Sequence, residues 1–198
     1  MSTGALIPLR RVSGDITEQS DAALLAASAT GDAASFGALF DRHHQAVYRF
    51  AARLAVTDDA ARDDLVQATF LEVRRIAGKF RGQSSVRTWI LGVAANVARH
   101  QWRGEQRRRA RQARYAEGLD AAAPGGAEDA VDRHRLLARL GDAVATLPHD
   151  QQVAFVLCDL EQLPGAEVAK ALGVPEGTLW RRLHDARKRL RAALGGAP

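Results

Sequence analysis

The chain of 198 residues is long enough for one large or two small domains, and its many alanines and arginines with few aromatic residues predict an all-α protein. The net charge of +5 and the pI near 10.1 favour a polyanionic partner, a balance that ribosomal, membrane-surface and DNA-binding proteins share. The single cysteine, Cys158, excludes an internal disulfide and a multi-cysteine metal site, and we expect a buried structural thiol in a reducing cytoplasm.

The N-terminal half predicts a tail followed by a helical domain. Residues 1–20 lack periodicity, which predicts a mobile tail, and no apolar core of a secretion signal follows Arg10 and Arg11. No apolar run reaches the ~20 residues that a membrane span requires. Helices are expected over residues 21–30, 33–54, 58–79 and 86–103. The second of these is expected to bury Phe36, Leu39, Phe40, Val47, Phe50 and Leu54.

The third predicted helix has two distinct faces. Its inward stripe is expected to consist of Leu65, Val66, Thr69, Phe70, Val73, Ile76 and Phe80. Its outward face carries Asp64, Gln67, Leu71 and Arg75. An apolar Leu71 displayed among polar residues suits docking against a helix of another protein. A single exposed leucine is also common in soluble proteins, and spacing alone does not favour either explanation.

The loop KFRGQSSVRTW and the helix after it carry small polar residues among cations. Such a loop suits single-stranded nucleic acid, because phosphates need positive charge and unstacked bases need a pocket; an ordinary helix-joining loop is the alternative. The fourth helix is expected to bury Trp89, Ile90, Val93 and Val97. On a separate side, Gly92 would let a backbone approach closely beside Asn96, Arg99 and Arg103, although Asn96 is also suited to pairing with a neighbouring carbonyl.

After Arg103 the sequence predicts a linker and a second helical domain. The arginine-rich start of GEQRRRARQARYAEGLDAAAPGGAED predicts a helical beginning, and its Pro-Gly-Gly end predicts flexibility, so residues 105–130 are expected to form a linker. Helical periodicity returns over residues 131–147 and 149–161. The predicted fold is therefore all-α, with two small helical domains joined by a flexible linker.

The stretch GAEVAKALGVPEGTLWRRLHDARKRLRAAL, residues 165–194, predicts a helix-turn-helix. Gly173 stands where a left-handed cap is needed, and the second helix is expected to start near Pro175, with Thr178 serving the first amides. One face of that helix is apolar: Leu179, Leu183, Ala186, Leu190 and Leu194. The other sides carry Arg181, His184, Asp185 and Lys188, flanked by Trp180, Arg187 and Arg191. Such a helix suits a DNA major groove; a basic, solvated terminal helix is the alternative.

In this order, the segments resemble the extracytoplasmic-function group of bacterial RNA polymerase sigma factors. The resemblance is carried by DAALLAASATGDAASFGALFDRH, DDLVQATFLEVRR, FRGQSSVRTWILGVAANVAR and LPHDQQVAFVLCDLEQLPGAEVAKALGVPEGTLWRRLHDARKRL. It implies that residues 21–104 form the region 2 domain and residues 131–194 the region 4 domain. It also implies a protein that binds core polymerase, recognises both promoter elements and promotes DNA melting.

The resemblance assigns roles to individual residues. Asp64, Gln67 and Leu71 would contact the clamp of the largest polymerase subunit. The minus-ten element would be opened by Phe80, Arg81, Gly82, Gln83, Ser84, Ser85, Arg87, Thr88, Asn96, Arg99 and Arg103. The minus-thirty-five element would be read by Thr178, Trp180, Arg181, His184, Asp185, Arg187 and Lys188. Core polymerase, promoter DNA and an anti-sigma factor are the expected partners, and no membrane-embedded segment is expected.

Two pairs of neighbouring residues depart from the common family pattern. Trp180 and Arg181 stand where many relatives have Lys or Arg followed by Ser, and Pro164-Gly165 replaces the more usual Ser-Tyr at the start of the first helix of the pair. Trp180 cannot form an ion pair with a phosphate, but its ring suits a sugar or a thymine methyl. Both changes concern the minus-thirty-five preference and leave the identity of the domain unaffected.

The sequence leaves two other classes of function to consider. An ordinary helix-turn-helix repressor or activator would bind a duplex operator without polymerase and would use the N-terminal block for sensing or dimerisation. An enzyme is disfavoured because adjacent His43 and His44 point ~100° apart on a helix and share a metal poorly. The sequence also has no phosphate-binding glycine loop, HExxH motif or nucleophile elbow. We therefore expect no catalytic residue, metal site or cofactor.

Overall fold

The computed structural model describes residues 16, 18–54, 56, 58–113 and 139–195, and over 104–113 the description covers the backbone alone. All regular structure in these ranges is helical, so the all-α prediction is confirmed. The predicted tail, apart from a few residues at its end, and the predicted linker beyond residue 113 lie outside the described residues.

The N-terminal domain is built from four helices: α1 (Asp21–Ala29), α2 (Ala33–Arg53), α3 (Asp59–Ile76) and α4 (Val86–Ala113). The first three begin at a polar cap, Ser20, Asp32 or Asp58, whose side chain accepts a hydrogen bond from an amide of the first turn. A single 3₁₀ turn, Ala77–Lys79, follows α3 and leads into the loop before α4. These caps fix the entry of each helix and hence the face that it turns to the core.

Most of the core and helices predicted for this domain are confirmed, with one difference in the core and one in a helix boundary. Phe40 is 37% exposed, because its ring stacks on that of His44 and meets Phe70 edge-on at the rim of the core. Helix α4 also continues past Arg103, the predicted end, to Ala113. The arginines, glutamines and alanines of that stretch are good helix formers, and no proline interrupts them.

The C-terminal domain begins with a helix over residues 139–145, here called α5, followed by α6 (His149–Phe155), α7 (Gly165–Leu172) and α8 (Glu176–Leu194). Helix α6 does not run to residue 161 as a uniform helix. It continues as a π-helical turn, Val156–Leu160, and the Glu161 amide donates to the Val156 carbonyl at 2.8 Å. A π turn holds one residue more than an α turn, so it changes the direction in which Glu161 projects.

Helices α7 and α8 form the predicted helix-turn-helix. Gly173 ends α7 in the left-handed conformation, with φ 67° and ψ 34°, which a residue without a Cβ adopts at least cost. Helix α8 follows Pro175, and its predicted apolar face is buried except for Leu194, which is half-buried. The Thr178 side chain makes no capping hydrogen bond, contrary to prediction; only its amide is engaged, donating to the Pro175 carbonyl at 2.9 Å.

The two domains pack against each other through α4 and α7. The two helices come close at Gly92, where a Cβ would lie 2.7 Å from the Ala171 carbonyl oxygen and 2.8 Å from the Ala171 Cβ. Distances this short exclude any side chain at position 92 in this arrangement. The backbone that approaches Gly92 is therefore that of α7, and the sequence had suggested a bound partner instead.

Candidate nucleic-acid interface

The loop before α4 carries most of the predicted minus-ten residues on the surface of the N-terminal domain. Arg81, Gly82 and Gln83 are exposed, and Gly82 is left-handed with φ 67°. Phe80 is half-buried and its ring meets that of Trp89 edge-on at 5.5 Å. The aromatic contact anchors the start of the loop to α4 and leaves its tip open to solvent.

The end of the loop caps α4. The Ser85 hydroxyl accepts a hydrogen bond from the Thr88 amide at 3.0 Å and lies 2.8 Å from the Thr88 hydroxyl. Thr88 is 1% exposed, so its hydroxyl holds the helix start together and does not face solvent. The Ser85 amide donates across the domain boundary to a Glu167 carboxylate oxygen at 2.9 Å, and Ser84 donates to the Ser85 carbonyl.

Arg87 is engaged by a carboxylate of the C-terminal domain. Glu161 accepts from the guanidinium groups of both Arg87 and Arg53. The Glu161 side chain is 4% exposed, and those of the two arginines are 37% and 38% exposed. The free-energy cost of burying this carboxylate is offset, because hydrogen bonds from two cations replace those that it made to water.

A second charged cluster joins α4 to α6 and α8. Asp150 accepts from Arg99 at 2.6 Å and from Arg182 at 2.7 Å, so a single carboxylate links the two domains. Beside it, the ring of His149 stacks on that of Trp102 at 6.0 Å. Burial lowers the pKa of His149, and the nearby Arg99 and Arg103 lower it further, whereas a hydrogen bond with the Ala95 backbone and the charge of Asp150 raise it.

The predicted polymerase face is displayed as expected. Asp64, Gln67 and Leu71 are all exposed on α3, and Leu71 is 62% exposed. Leu71 borders an open groove between α3 and α4, with a volume of about 640 Å³, whose apolar lining includes Ile76 and Val97. Asn96 lies on the opposite wall of the same groove.

The predicted DNA-facing side of α8 is mostly exposed. Arg181, His184 and Lys188 point to solvent, and Asp185 is half-buried. Arg187 differs, because its guanidinium makes two hydrogen bonds, at 2.6 and 2.9 Å, to the carboxylate of Asp159. This pairing raises the pKa of Arg187 above its ordinary value. It also directs the side chain toward Asp159 in the π-helical turn.

The two departures from the family pattern lie in contact. The indole ring of Trp180 covers the start of α7, so that a Cβ on Gly165 would lie 2.5 Å from its Cζ2 and Cη2 atoms. Trp180 remains 48% exposed. Gly165 is therefore required by this position of the ring, and the two replacements form one structural unit.

Sequence reasoning missed the acidic residues that face the N-terminal domain, Asp150, Glu161 and Glu167. Their partners lie 51, 74 and 82 residues away in the sequence, so no helical periodicity relates them. The one available signal was Gly92, a residue without a side chain on a polar helix face, and it was interpreted as space for a bound backbone.

Other features of the described residues carry little chemistry. Within those ranges no cluster of three or more His, Cys, Asp or Glu side chains could hold a metal ion. Cys158 is half-buried, and burial raises the pKa of its thiol to about 11, which leaves it protonated and unreactive at neutral pH. None of the helices described is both long and apolar enough to span a bilayer.

Comparison with known families matches both domains. Residues 39–108 match the model of sigma-70 region 2, and residues 137–190 match that of sigma-70 region 4. The chain is 36% identical over 180 residues to the ECF RNA polymerase sigma factor SigM of Mycobacterium tuberculosis, which spans 90% of this chain and 86% of that protein. It is 34% identical over 161 residues to the RNA polymerase sigma factor CarQ of Myxococcus xanthus, or 81% of this chain and 90% of that one.

Solved structures show the same fold. The structure of CnrH in complex with the cytosolic domain of CnrY matches with a TM-score of 0.62 and 24% identity, covering 91% of this chain and all of that one. The sigma factor RpoE of Bartonella quintana, in complex with the anti-sigma factor NepR, matches with a TM-score of 0.55 and 22% identity over 78% of this chain and 93% of its own. The two family regions in their expected order, with the 36% identity to the ECF sigma factor SigM, show that the chain belongs to the ECF group of the sigma-70 family of RNA polymerase sigma factors.

Proposed function

We propose that this sigma factor binds core RNA polymerase through its N-terminal domain, melts the minus-ten element there, and reads the minus-thirty-five element with α8. The observation that carries the proposal is the presence of both family regions in one chain, supported by the exposed polar side chains of α3 and α8. We take residues 21–104 as the region 2 domain, 105–130 as the linker and 131–194 as the region 4 domain.

Polymerase docking is assigned to Asp64, Gln67 and Leu71. Their common face on α3 combines a carboxylate, an amide and an exposed leucine beside an apolar groove. A helix of the polymerase clamp would bury Leu71 and satisfy the two polar side chains at its edge. The outward Arg75 is held by two hydrogen bonds, at 2.6 and 2.7 Å, to Glu72 and helps to fix the shape of the groove.

Minus-ten recognition is assigned to the loop from Phe80 to Ser85, together with Arg87, Asn96, Arg99 and Arg103. The exposed loop tip offers backbone and side-chain donors, and the guanidinium groups offer phosphate contacts. Thr88 contributes indirectly, by holding Ser85 at the start of α4. Melting would proceed by capture: unpaired bases are stabilised on this surface, so the open duplex becomes populated, and the extrusion of a base costs a few kcal/mol that these contacts must offset.

Minus-thirty-five recognition is assigned to Thr178, Trp180, Arg181, His184, Asp185, Arg187 and Lys188. Arg181 and Lys188 are exposed on the free side of α8 and suit phosphates or guanine edges in the major groove. Arg187 would first have to exchange Asp159 for DNA. We assign Trp180 to apolar contact with a sugar or a thymine methyl.

The same proposal covers location and regulation. We propose a cytoplasmic protein without a catalytic site or cofactor, because its role is to direct the active site of the polymerase. We also propose an anti-sigma factor as a partner, since one structural relative, RpoE, was solved with the anti-sigma factor NepR.

The experiment that tests this function is run-off transcription with core polymerase on a library of genomic promoters. We expect transcripts that depend on the chain and share two sequence elements upstream of their starts. A gel shift of promoter duplex with and without core polymerase tests the rival assignment. Tight, specific binding by the chain alone, combined with no transcript from any promoter, would identify an ordinary helix-turn-helix regulator instead.

A further inference from the structure

Trp180 and Gly165 lie in contact on the side of the helix-turn-helix that is assigned to DNA. We propose that Trp180 selects a thymine at one position of the minus-thirty-five element, and that Gly165 is a positioning residue that keeps the indole ring in the required orientation. The inference rests on the proposed function, because it concerns the surface of α8 that is assigned there to this element.

The indole ring of Trp180 is exposed and has no partner of its own kind. Trp102, which is also 48% exposed, stacks on His149, and the exposed Phe40 stacks on His44. Within the described part of the chain, Trp180 makes no such ring contact, and its Nε1–H donates no hydrogen bond. The indole therefore retains an apolar surface and a donor for a ligand that offers both kinds of contact.

The backbone of Gly165 fixes where this ring lies. A Cβ on Gly165 would lie 2.5 Å from Cζ2 and Cη2 of the indole and 3.3 Å from Cε2, so this edge of the ring rests directly on the start of α7. No side chain at position 165 fits between the ring and the backbone. Because the ring is held on α7 before DNA arrives, little of its rotamer freedom remains to be lost on binding.

Trp180 lies in the part of α8 that would reach base edges. It belongs to the second turn of the helix, and the N-terminal turns of a recognition helix contact bases in the major groove. His184 and Lys188 follow one and two turns later, so they project from the same side of α8, and both are exposed. These two side chains suit phosphates and polar base atoms, which leaves the indole as the group suited to the apolar part of a base.

Thymine is the base whose major-groove edge matches an indole. It carries the C5 methyl group beside the O4 acceptor, so it meets an apolar ring and an N–H donor together. Cytosine and adenine present amino donors, from which an indole cannot accept, and guanine presents acceptors without an apolar group. The chemistry of Trp180 therefore favours thymine over the other three bases.

A purely structural role for Trp180, as a cover for the start of α7, predicts a different result. Loss of the cover would then weaken promoter binding for every sequence alike, because packing within the protein carries no sequence information. A change in base preference is therefore the measurement that distinguishes recognition from packing.

The first experiment is selection by holoenzyme from a promoter library that is randomised over the minus-thirty-five element. Wild type should enrich thymine at one position, and Trp180→Ala should lose that enrichment while it keeps the preferences elsewhere in the element. Circular dichroism should show the same helix content in both chains, since the replaced side chain is exposed. Unchanged thymine enrichment in Trp180→Ala would overturn the inference, and so would a uniform loss of binding without a change of preference.

A second experiment removes the methyl group alone. Replacing the selected thymine by deoxyuridine should weaken promoter binding by wild-type holoenzyme about fourfold, as expected when one buried methyl group is lost. The same replacement should leave binding by Trp180→Ala holoenzyme unchanged, because the ring that meets the methyl group is gone. Equal losses in the two holoenzymes would mean that another group contacts the methyl, and the assignment to Trp180 would be wrong.

The positioning role of Gly165 is tested by a double variant. Gly165→Ala places a Cβ where the ring lies, so the ring has to move and thymine enrichment should fall toward that of Trp180→Ala. In the Trp180→Ala chain the added Cβ meets no ring, so Gly165→Ala should change the preference no further. Gly141→Ala is the matched control, because it makes the same change at an exposed helical position where a Cβ meets nothing within 4 Å. Full thymine enrichment by Gly165→Ala would overturn the positioning role.

The same selection separates this inference from the function on which it rests. A wild-type holoenzyme that enriches no sequence at the minus-thirty-five element would overturn the proposed function of α8 and the inference with it. Enrichment of that element without a thymine that depends on Trp180 would overturn the inference alone.

Discussion

The two surfaces proposed to bind DNA differ in their state in the free chain. The minus-ten surface lies partly under the C-terminal domain, where Arg87 and Arg99 pair with carboxylates. On α8, Arg181 and Lys188 are exposed. Both surfaces carry arginines, so composition does not distinguish them. The difference shows that the faces through which the two domains pack on each other determine which arginines remain exposed to solvent.

This difference also suggests an order of events. The exposed side of α8 needs no rearrangement before it meets a phosphate, and neither does the exposed face of α3. On the proposed minus-ten surface, Arg87 and Arg99 would first have to leave Glu161 and Asp150.

The largest expected effect concerns the exposed face of α3. Replacing Asp64 and Gln67 together by alanine should weaken binding to core polymerase about a hundredfold, since interface residues near an apolar anchor account for much of the binding energy. Asp63→Ala, a neighbouring exposed carboxylate on the same helix, is the control. Circular dichroism should show an unchanged fold for both. Holoenzyme assembly at normal affinity by the double variant would remove α3 from the docking surface.

The next effect sharpens the contrast within α8. Arg181→Ala should weaken recognition of the minus-thirty-five element by about 1–3 kcal/mol, as expected for one arginine reading a base pair. Arg187→Ala should have a smaller effect, because its guanidinium must first leave Asp159. Half-maximal promoter concentrations in run-off transcription by holoenzyme give both values. Equal losses would mean that the Asp159 pair opens at no measurable cost.

The smallest effect concerns the histidine at the domain interface. His149 is neutral there, because burial and Arg99 lower its pKa, whereas in separated domains it regains an ordinary value near 6.5. Separated domains therefore bind the proton more tightly, and the closed form should lose stability as the pH falls through and below about 6.5. We expect the radius of gyration to rise between pH 7.5 and 5.5.

His149→Gln is the control for this titration. It keeps a polar side chain of similar reach but does not titrate, so the chain should keep one radius over the same pH range. The charged groups that face His149 are Arg99 and Arg103 on α4 and Asp150 on α6. An identical pH response in wild type and His149→Gln would exclude His149 as the origin of the transition.

The sequence predicted the helices and most of the surfaces because both depend on local spacing. The apolar stripe of α8 and the left-handed Gly173 follow from periodicity and from the steric freedom of glycine. Phe40 was assigned to the core because periodicity predicts the direction of a side chain. It does not predict how many other residues cover that side chain. The burial of Thr88 likewise depends on the contact between its hydroxyl and that of Ser85, which residue spacing does not reveal.

The contacts between the domains were beyond such reasoning. The Glu161–Arg87 and Asp150–Arg99 pairs depend on how two folded units dock, and docking is set by the summed shape and charge of whole surfaces. Gly92 shows the same limit. Its lack of a side chain correctly indicated a close approach, but nothing in the local pattern identified α7 as the element that approaches.

The π-helical turn at Val156–Leu160 has a consequence for how this chain could be altered by insertion or deletion. Such a turn holds a surplus residue within an otherwise α-helical segment. Deleting Cys158 should allow an ordinary α turn to form with Glu161 nearly in its present direction, because only the surplus residue is lost, whereas inserting one residue into α6 should turn Glu161 by about 100° around the helix axis. A one-residue insertion is thus expected to separate Glu161 from Arg87, whereas a one-residue deletion is expected to preserve that pair. The contact between the two domains therefore depends on the number of residues in this helical segment as well as on their identity.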